Sequence, residues 1–147
     1  MSRKTVLVTG ASEGGIGSAL TEAFQQQGFL VFATVRSLDK GKHLANTSDV
    51  ELLTLDVTND KAIADAVETV RAKTGGKLDV LVNNSGGGYT MPLLDSPIED
   101  GRKLFDLNVW SVLAMVQAFA PFLIESKGCI LNIGSMAGVL IRPWTGN

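Results

Sequence analysis

Thr5-Val-Leu-Val-Thr9-Gly10-Ala11-Ser12-Glu13-Gly14-Gly15-Ile16-Gly17 is the stretch whose reading decides the fold. Thr5–Thr9 is a short apolar, β-branched run that reads as a strand. Ile16, Leu20, Ala23, Phe24 and Gln27 then recur at helical spacing until Gly28 stops them. A strand, a glycine-rich turn and a helix N-terminus therefore follow one another. That junction brings unpaired backbone N–H groups and a positive dipole end to one point, and residues this small let a pyrophosphate approach them. Its position at the first strand-to-helix turn favours dinucleotide binding over a merely tight connection.

The same alternation continues outward. Further apolar runs bounded by turn residues lie at Phe29–Thr34, Glu51–Asp56, Val80–Asn83 and Cys129–Ile133. Thr58-Asn-Asp60 offers capping oxygens to a helix striped by Ile63, Ala66, Val67 and Val70 and ended by Gly75-Gly76. A short helical stretch is expected over Leu38–Asn46. Ile98 to Ser126 predicts a long helix, apolar through Leu104, Phe105, Leu107, Val109, Val112, Leu113, Val116, Phe119 and Phe122, interrupted only by Pro121 and expected to be buried against a sheet. Trp110 and Cys129 read as packing residues. Near-continuous apolar strands suit a parallel sheet covered on both faces, so the expected architecture is α/β, a doubly wound sheet of five parallel strands forming one unit over residues 1–147.

Composition narrows the function. The 147 residues are 45% hydrophobic and 19% charged, the profile of one globular domain. Thirteen Lys plus Arg against fifteen Asp plus Glu leave a net charge of −2, which supplies no footprint for a phosphate backbone, so nucleic acid is not an expected partner. Cys129 is the only cysteine and His43 the only histidine, too few for a Cys/His metal site or a disulfide framework, so no metal is expected. His43, in Lys40-Gly-Lys-His43, reads as a solvated surface residue. The first apolar run is too short for a signal core or a membrane span, and the expected compartment is the reducing cytoplasm.

The end of the second strand bears on cofactor choice. An NAD-binding unit places an Asp or Glu there for the ribose 2′-hydroxyl. This chain has Ala33-Thr34-Val35-Arg36-Ser37, and a guanidinium suits a 2′-phosphate, which favours NADP(H). Arg36 as a solvated loop residue is the alternative, and the Glu13 carboxylate would oppose a nearby phosphate.

These motifs, with those that follow them in order, resemble the short-chain dehydrogenase/reductase family over essentially the whole chain. The Thr9–Gly17 turn, with Gly10, Ser12, Glu13, Gly15 and Ile16, is similar to the family's cofactor loop, with one extra residue before Gly15-Ile16-Gly17. Leu55-Asp56-Val57 is similar to its adenine-binding stretch. Asn83-Asn84-Ser85-Gly86 resembles the signature after the fourth strand, with Ser85 in place of alanine. Asn108 resembles the helix asparagine that holds a proton-relay water, and Ser135, in Asn132-Ile-Gly-Ser135, the active-site serine. Ser12–Gly17, Phe32–Ser37, Gly76–Asp79 and Met91–Asp95 are most like a fungal branch related to 1-acyldihydroxyacetone-phosphate reductase. The resemblance implies a Rossmann-like fold, NADP(H) and a small-molecule carbonyl substrate. Each motif also has a purely structural reading: Asp56 as a cap before Thr58, Asn83 and Asn84 as ties between strands, Asn108 as a locally bonded helix residue.

In the resembled family a tyrosine donates the proton and a lysine four residues later lowers its pKa. No Tyr-x-x-x-Lys occurs here, and the sole tyrosine, Tyr89, reads as a pocket-lining or surface residue. The family's spacing places its tyrosine just past Asn147, so the chain is expected to be C-terminally truncated relative to the family. Cys129–Ile133 would then be an edge strand needing cover from a complementary C-terminal segment or another protomer in a homo-oligomer. Two functions remain open: the cofactor-binding part of an NADPH-dependent carbonyl reductase, or a non-redox module that keeps the scaffold for binding, regulation, cyclisation or isomerisation.

Overall fold

A computed structural model describes residues 3–140. Five parallel strands form one sheet in the order β3-β2-β1-β4-β5: β1 is Thr5–Val8, β2 Leu30–Val35, β3 Val50–Thr54, β4 Val80–Asn83 and β5 Cys129–Asn132. The chain builds outward from β1 through β2 to β3, then crosses back to place β4 on the other side of β1. β1 and β4 therefore flank the point where the winding reverses, and in such sheets ligands bind in the crevice beyond the carboxyl ends of those strands.

The period-two alternation of β1 divides the core between the two faces. Val6 and Val8, with Val31 and Val82, pack toward Leu20 and Phe24 of helix α1, Ile16–Gln26. Leu7, with Phe32 and Leu81, packs on the other face against Ile63, Ala66 and Val70 of α2, Asp60–Thr74, and against Met115 and Phe119. Both ends of α2 are set by sequence: Asn59 Oδ1 accepts the Ala62 N–H at 3.0 Å, and Gly75 closes the helix at φ 67°.

The Ile98–Ser126 region is one continuous helical run in three parts. α3, Ile98–Phe105, passes through a π turn at Asp106–Trp110 into α4, Ser111–Ser126, and Pro121 sits inside α4 without ending it. This run is long and apolar enough to cross a bilayer by composition. In the fold it instead lays Met115, Phe119, Phe122 and Leu123 on the sheet.

Several local expectations are corrected. The long helix is buried along one stripe only, through Ser111, Met115, Phe119 and Phe122, and Trp110, one residue and so about 100° of helix away from Ser111, is 57% exposed. Cys129 is exposed because nothing among the described residues lies beyond β5 in the sheet. The Leu38–Asn46 stretch forms a tight 3₁₀ segment at Leu38–Leu44. His43, on that segment, is not solvated: it is half-buried, its Nε2 lies 2.6 Å from the buried Ser18 hydroxyl, and its Nδ1 is buried without a partner.

Candidate functional site: a cleft at the carboxyl ends of the strands

The glycine-rich turn is packed as tightly as its composition suggests. Gly10 adopts φ 72°, and a Cβ on Gly17 would lie 2.6 Å from Asn84 Nδ2 and closer still to the Gly10 carbonyl oxygen. Only a hydrogen at position 17 lets α1 start against the end of β1. Asn84 secures the same junction from β4, donating from Nδ2 to the Thr9 carbonyl at 2.8 Å and to the Gly10 carbonyl at 3.1 Å. The Thr9 hydroxyl accepts the N–H groups of Asn84 and Ser85, each at 2.9 Å.

Residues 13–16 are exposed, and no Cβ at Gly14 would meet anything within 4 Å. The first turn of α1 has neither an acidic residue nor a side-chain cap, and its start at Gly15 and Ile16 is exposed while Gly17 and Ser18 are buried. An uncapped helix start beside small residues is chemically suited to an anionic group such as a pyrophosphate.

Along the carboxyl edge on one side, Arg36 is exposed at the end of β2, and its charge reaches Asp56 beyond β3. Asp56 Oδ1 accepts the Thr58 N–H at 3.0 Å and the Thr58 hydroxyl at 2.7 Å. Those two bonds hold its carboxyl below the usual carboxylate range, with Arg36 adding to the effect. Asp56 is thus the turn cap that its structural reading proposes. Val57 is buried beside it. The Glu13 N–H donates to the Lys40 carbonyl at 2.9 Å, which fastens the turn to the 38–44 segment.

On the other side lies a cleft of about 1000 Å³. It brings together Ile16, Asn84, Ser85, Gly86, Asn108 and Ser135, whereas Arg36, Asp56 and Val57 lie outside it. Ser135 caps the short 136–138 turn by accepting the Ala137 N–H at 3.1 Å, which leaves its own O–H available to donate. Asn108 sits in the π turn, a feature that concentrates at functional sites. Its side chain forms a reciprocal pair with Gly87, accepting the N–H at 3.0 Å and donating to the C=O at 2.9 Å. The local-bonding alternative does not hold for it, since its partner lies on the loop after β4. Asn83 does tie strands, donating to Asn132 Oδ1 at 2.9 Å across β4 and β5.

Sequence reasoning does not identify Gly87 as a partner of Asn108, nor the pairing of Tyr89 with Ser96 at 2.6 Å on the cleft's rim. The glycine run at 86–88 is the one signal that a backbone would be approached closely there. Among the described residues no group of three or more His, Cys, Asp or Glu side chains comes together.

A doubly wound parallel sheet with a glycine-rich turn at its switch point and a serine-bearing cleft beside it defines a Rossmann-like α/β protein. The chain belongs to the short-chain dehydrogenase/reductase family, an oxidoreductase family whose members bind nicotinamide dinucleotides: the model for short chain dehydrogenases matches residues 4–146. The chain is 50% identical over 146 residues to short-chain dehydrogenase PC-15 of Penicillium crustosum, covering 99% of this chain and 54% of that protein. It is 41% identical over 135 residues to the NADPH-dependent 1-acyldihydroxyacetone phosphate reductase of Schizosaccharomyces pombe, covering 92% of this chain and 45% of that one. An alcohol dehydrogenase from the archaeon Thermococcus sibiricus, solved with 5-hydroxy-NADP, superposes with a TM-score of 0.89 at 26% identity, covering 99% of this chain and 63% of its own. The chain thus spans about half the length of the curated relatives it matches.

Proposed function

We propose that this chain is the cofactor-binding part of a carbonyl reductase that uses NADPH. The observation that carries the reading is that the uncapped start of α1 and the Ser135 hydroxyl open on the same carboxyl edge, with Arg36 at its far end. In this reading the turn from Gly10 to Ile16, with Ser12, Glu13 and Gly15, holds the pyrophosphate. Arg36 reads the 2′-phosphate, and Asp56 with Val57 borders the adenine. Asn84, Ser85 and Gly86 form the floor beneath the nicotinamide.

When bound, the nicotinamide supplies a hydride to a carbonyl carbon. Ser135 donates a hydrogen bond to the carbonyl oxygen, where negative charge develops and a fixed donor is most effective. Asn108, through Gly87, keeps the cleft wall in place. The proton comes from the tyrosine and lysine that the family places beyond Asn147. The S. pombe relative, whose name states NADPH dependence, supports the cofactor assignment. The exposed edge of β5 is covered in the native assembly by a complementary C-terminal segment or a second protomer, and the single cysteine, exposed at Cys129, suits a reducing cytoplasm.

Titration of the native protein with each cofactor tests the assignment. Arg36→Ala should weaken NADPH about 10- to 100-fold, the worth of a charge-assisted hydrogen bond, and change NADH by less than about 2-fold. Equal loss for both would show that Arg36 does not read the 2′-phosphate.

A further inference from the structure

The corner between the glycine-rich turn and the end of β2 is fastened by bonds that run in the same order along both segments. The Ala11 N–H donates to the Thr34 carbonyl at 2.8 Å and the Glu13 N–H to the Lys40 carbonyl at 2.9 Å, and the Ser18 hydroxyl pairs with His43 Nε2 at 2.6 Å. Arg36 lies between the first two fastenings, on the short span that leads from β2 into the 38–44 segment. That segment is itself packed down. Leu44 is buried with Ala11, Ala33 and Val35, and a Cβ on Gly41 would lie 2.7 Å from Leu52 Cδ1. His43 is half-buried there, and its Nδ1 is buried with no partner among the described residues. An apolar side chain would fill the same space without leaving a nitrogen unpaired, so the imidazole is accounted for by its bond to Ser18. Residues 11–52 build this corner, and β1 and β4 stand between it and β5.

We infer that His43 is a positioning residue for the cofactor: its bond to Ser18 locks the 38–44 segment against the first turn of α1, and so fixes Arg36 relative to the pyrophosphate site. The inference rests on the NADPH reading given above. NADPH carries two anionic anchors, the pyrophosphate and the 2′-phosphate, and gains fully from both only where their binding groups are already held at the matching separation. NADH carries the first alone. Arg36 is exposed, so its guanidinium is only as well placed as the span of backbone that bears it. Ser18 is buried in the first turn of α1, and His43 reaches the cofactor through that placement rather than by contact.

The test reads the Kd of NADPH and of NADH by fluorescence titration of the native full-length protein and its variants. His43→Leu, which keeps the bulk and removes the bond, should weaken NADPH about 5-fold, the worth of one neutral hydrogen bond, and NADH by less than about 2-fold. Ser18→Ala should repeat that result without disturbing the space the imidazole fills. His43→Gln, which keeps a polar group for the Ser18 hydroxyl, should recover most of the loss. In an Arg36→Ala background His43→Leu should weaken NADPH no further, because its effect passes through Arg36. Unchanged NADPH affinity in His43→Leu and Ser18→Ala, equal loss of both cofactors, no recovery with His43→Gln, or losses that add to those of Arg36→Ala would each overturn the inference. Where Arg36→Ala itself costs both cofactors alike, the NADPH reading falls and the inference with it. Where Arg36→Ala is selective and His43→Leu is silent, the inference alone falls.

Discussion

β1 and β5 have four residues each in one parallel sheet and are similarly apolar, Thr5-Val-Leu-Val and Cys129-Ile-Leu-Asn, yet every residue of β1 is buried and every residue of β5 is exposed. The difference lies in their neighbours. β1 has β2 and β4 on either side, α1 under one face and α2 with α4 over the other, whereas β5 pairs only with β4. An apolar run announces a strand that is meant to be covered, and the sheet order decides which residues do the covering. The glycine-rich turn grows from the strand that is held on all sides. The cleft wall formed by Asn132–Ser135 grows from the strand held on one side.

Five substitutions sharpen or break this contrast. Leu7→Ala in β1 should cost about 2–5 kcal/mol in urea unfolding of the native protein, because its site is fully enclosed. Ile130→Ala in β5, where 44% of the residue is exposed, should cost less than about 1 kcal/mol if the edge is open, and approach the Leu7 value if a further segment covers it.

Gly17→Ala should cost about 1–3 kcal/mol, since the added methyl drives α1 away from Gly10 and Asn84, and should abolish NADPH binding with it. Retained affinity would show that the turn is not held by that contact. Ser18→Ala removes the partner of a half-buried histidine that already has one unpaired nitrogen, and should cost about 1 kcal/mol.

The smallest effect is expected at Asp56. Its carboxyl is held below the ordinary 3.8 in the folded protein, so the stability it adds is present above that value and is lost as pH falls through the folded value. Asp56→Asn should lower the melting temperature slightly at neutral pH, with the difference from the parent shrinking only as pH falls below 3.8 and through the lower folded value. A constant difference across that range would assign the effect to turn geometry.

Much of this arrangement was legible in the residues. The five strands, α1, α2 and their stops follow from periodicity and punctuation, and the glycine-rich turn declares itself by its place after β1. Boundaries moved by a residue or two, as at Val50–Thr54, because hydrogen bonding along the sheet sets them. What local sequence does not carry is pairing at a distance. Asn108 meets Gly87 and His43 meets Ser18 only once the chain is wound, and which stripe of the long helix meets the sheet, leaving Trp110 outside it, is likewise decided by the fold. The short-chain dehydrogenase/reductase motifs named Asn108 and Ser135, and the fold showed that both border the cleft shared with Tyr89.

The central claim is that an NADP(H) pyrophosphate sits on the uncapped start of α1, beside the β4 end of the cleft. Amide hydrogen exchange of the native protein with and without NADPH tests it most directly. The account predicts new protection at residues 13–18 and 84–87, with little change in α2. Protection confined to α2 or β3, or none at the turn despite bound NADPH, would contradict it.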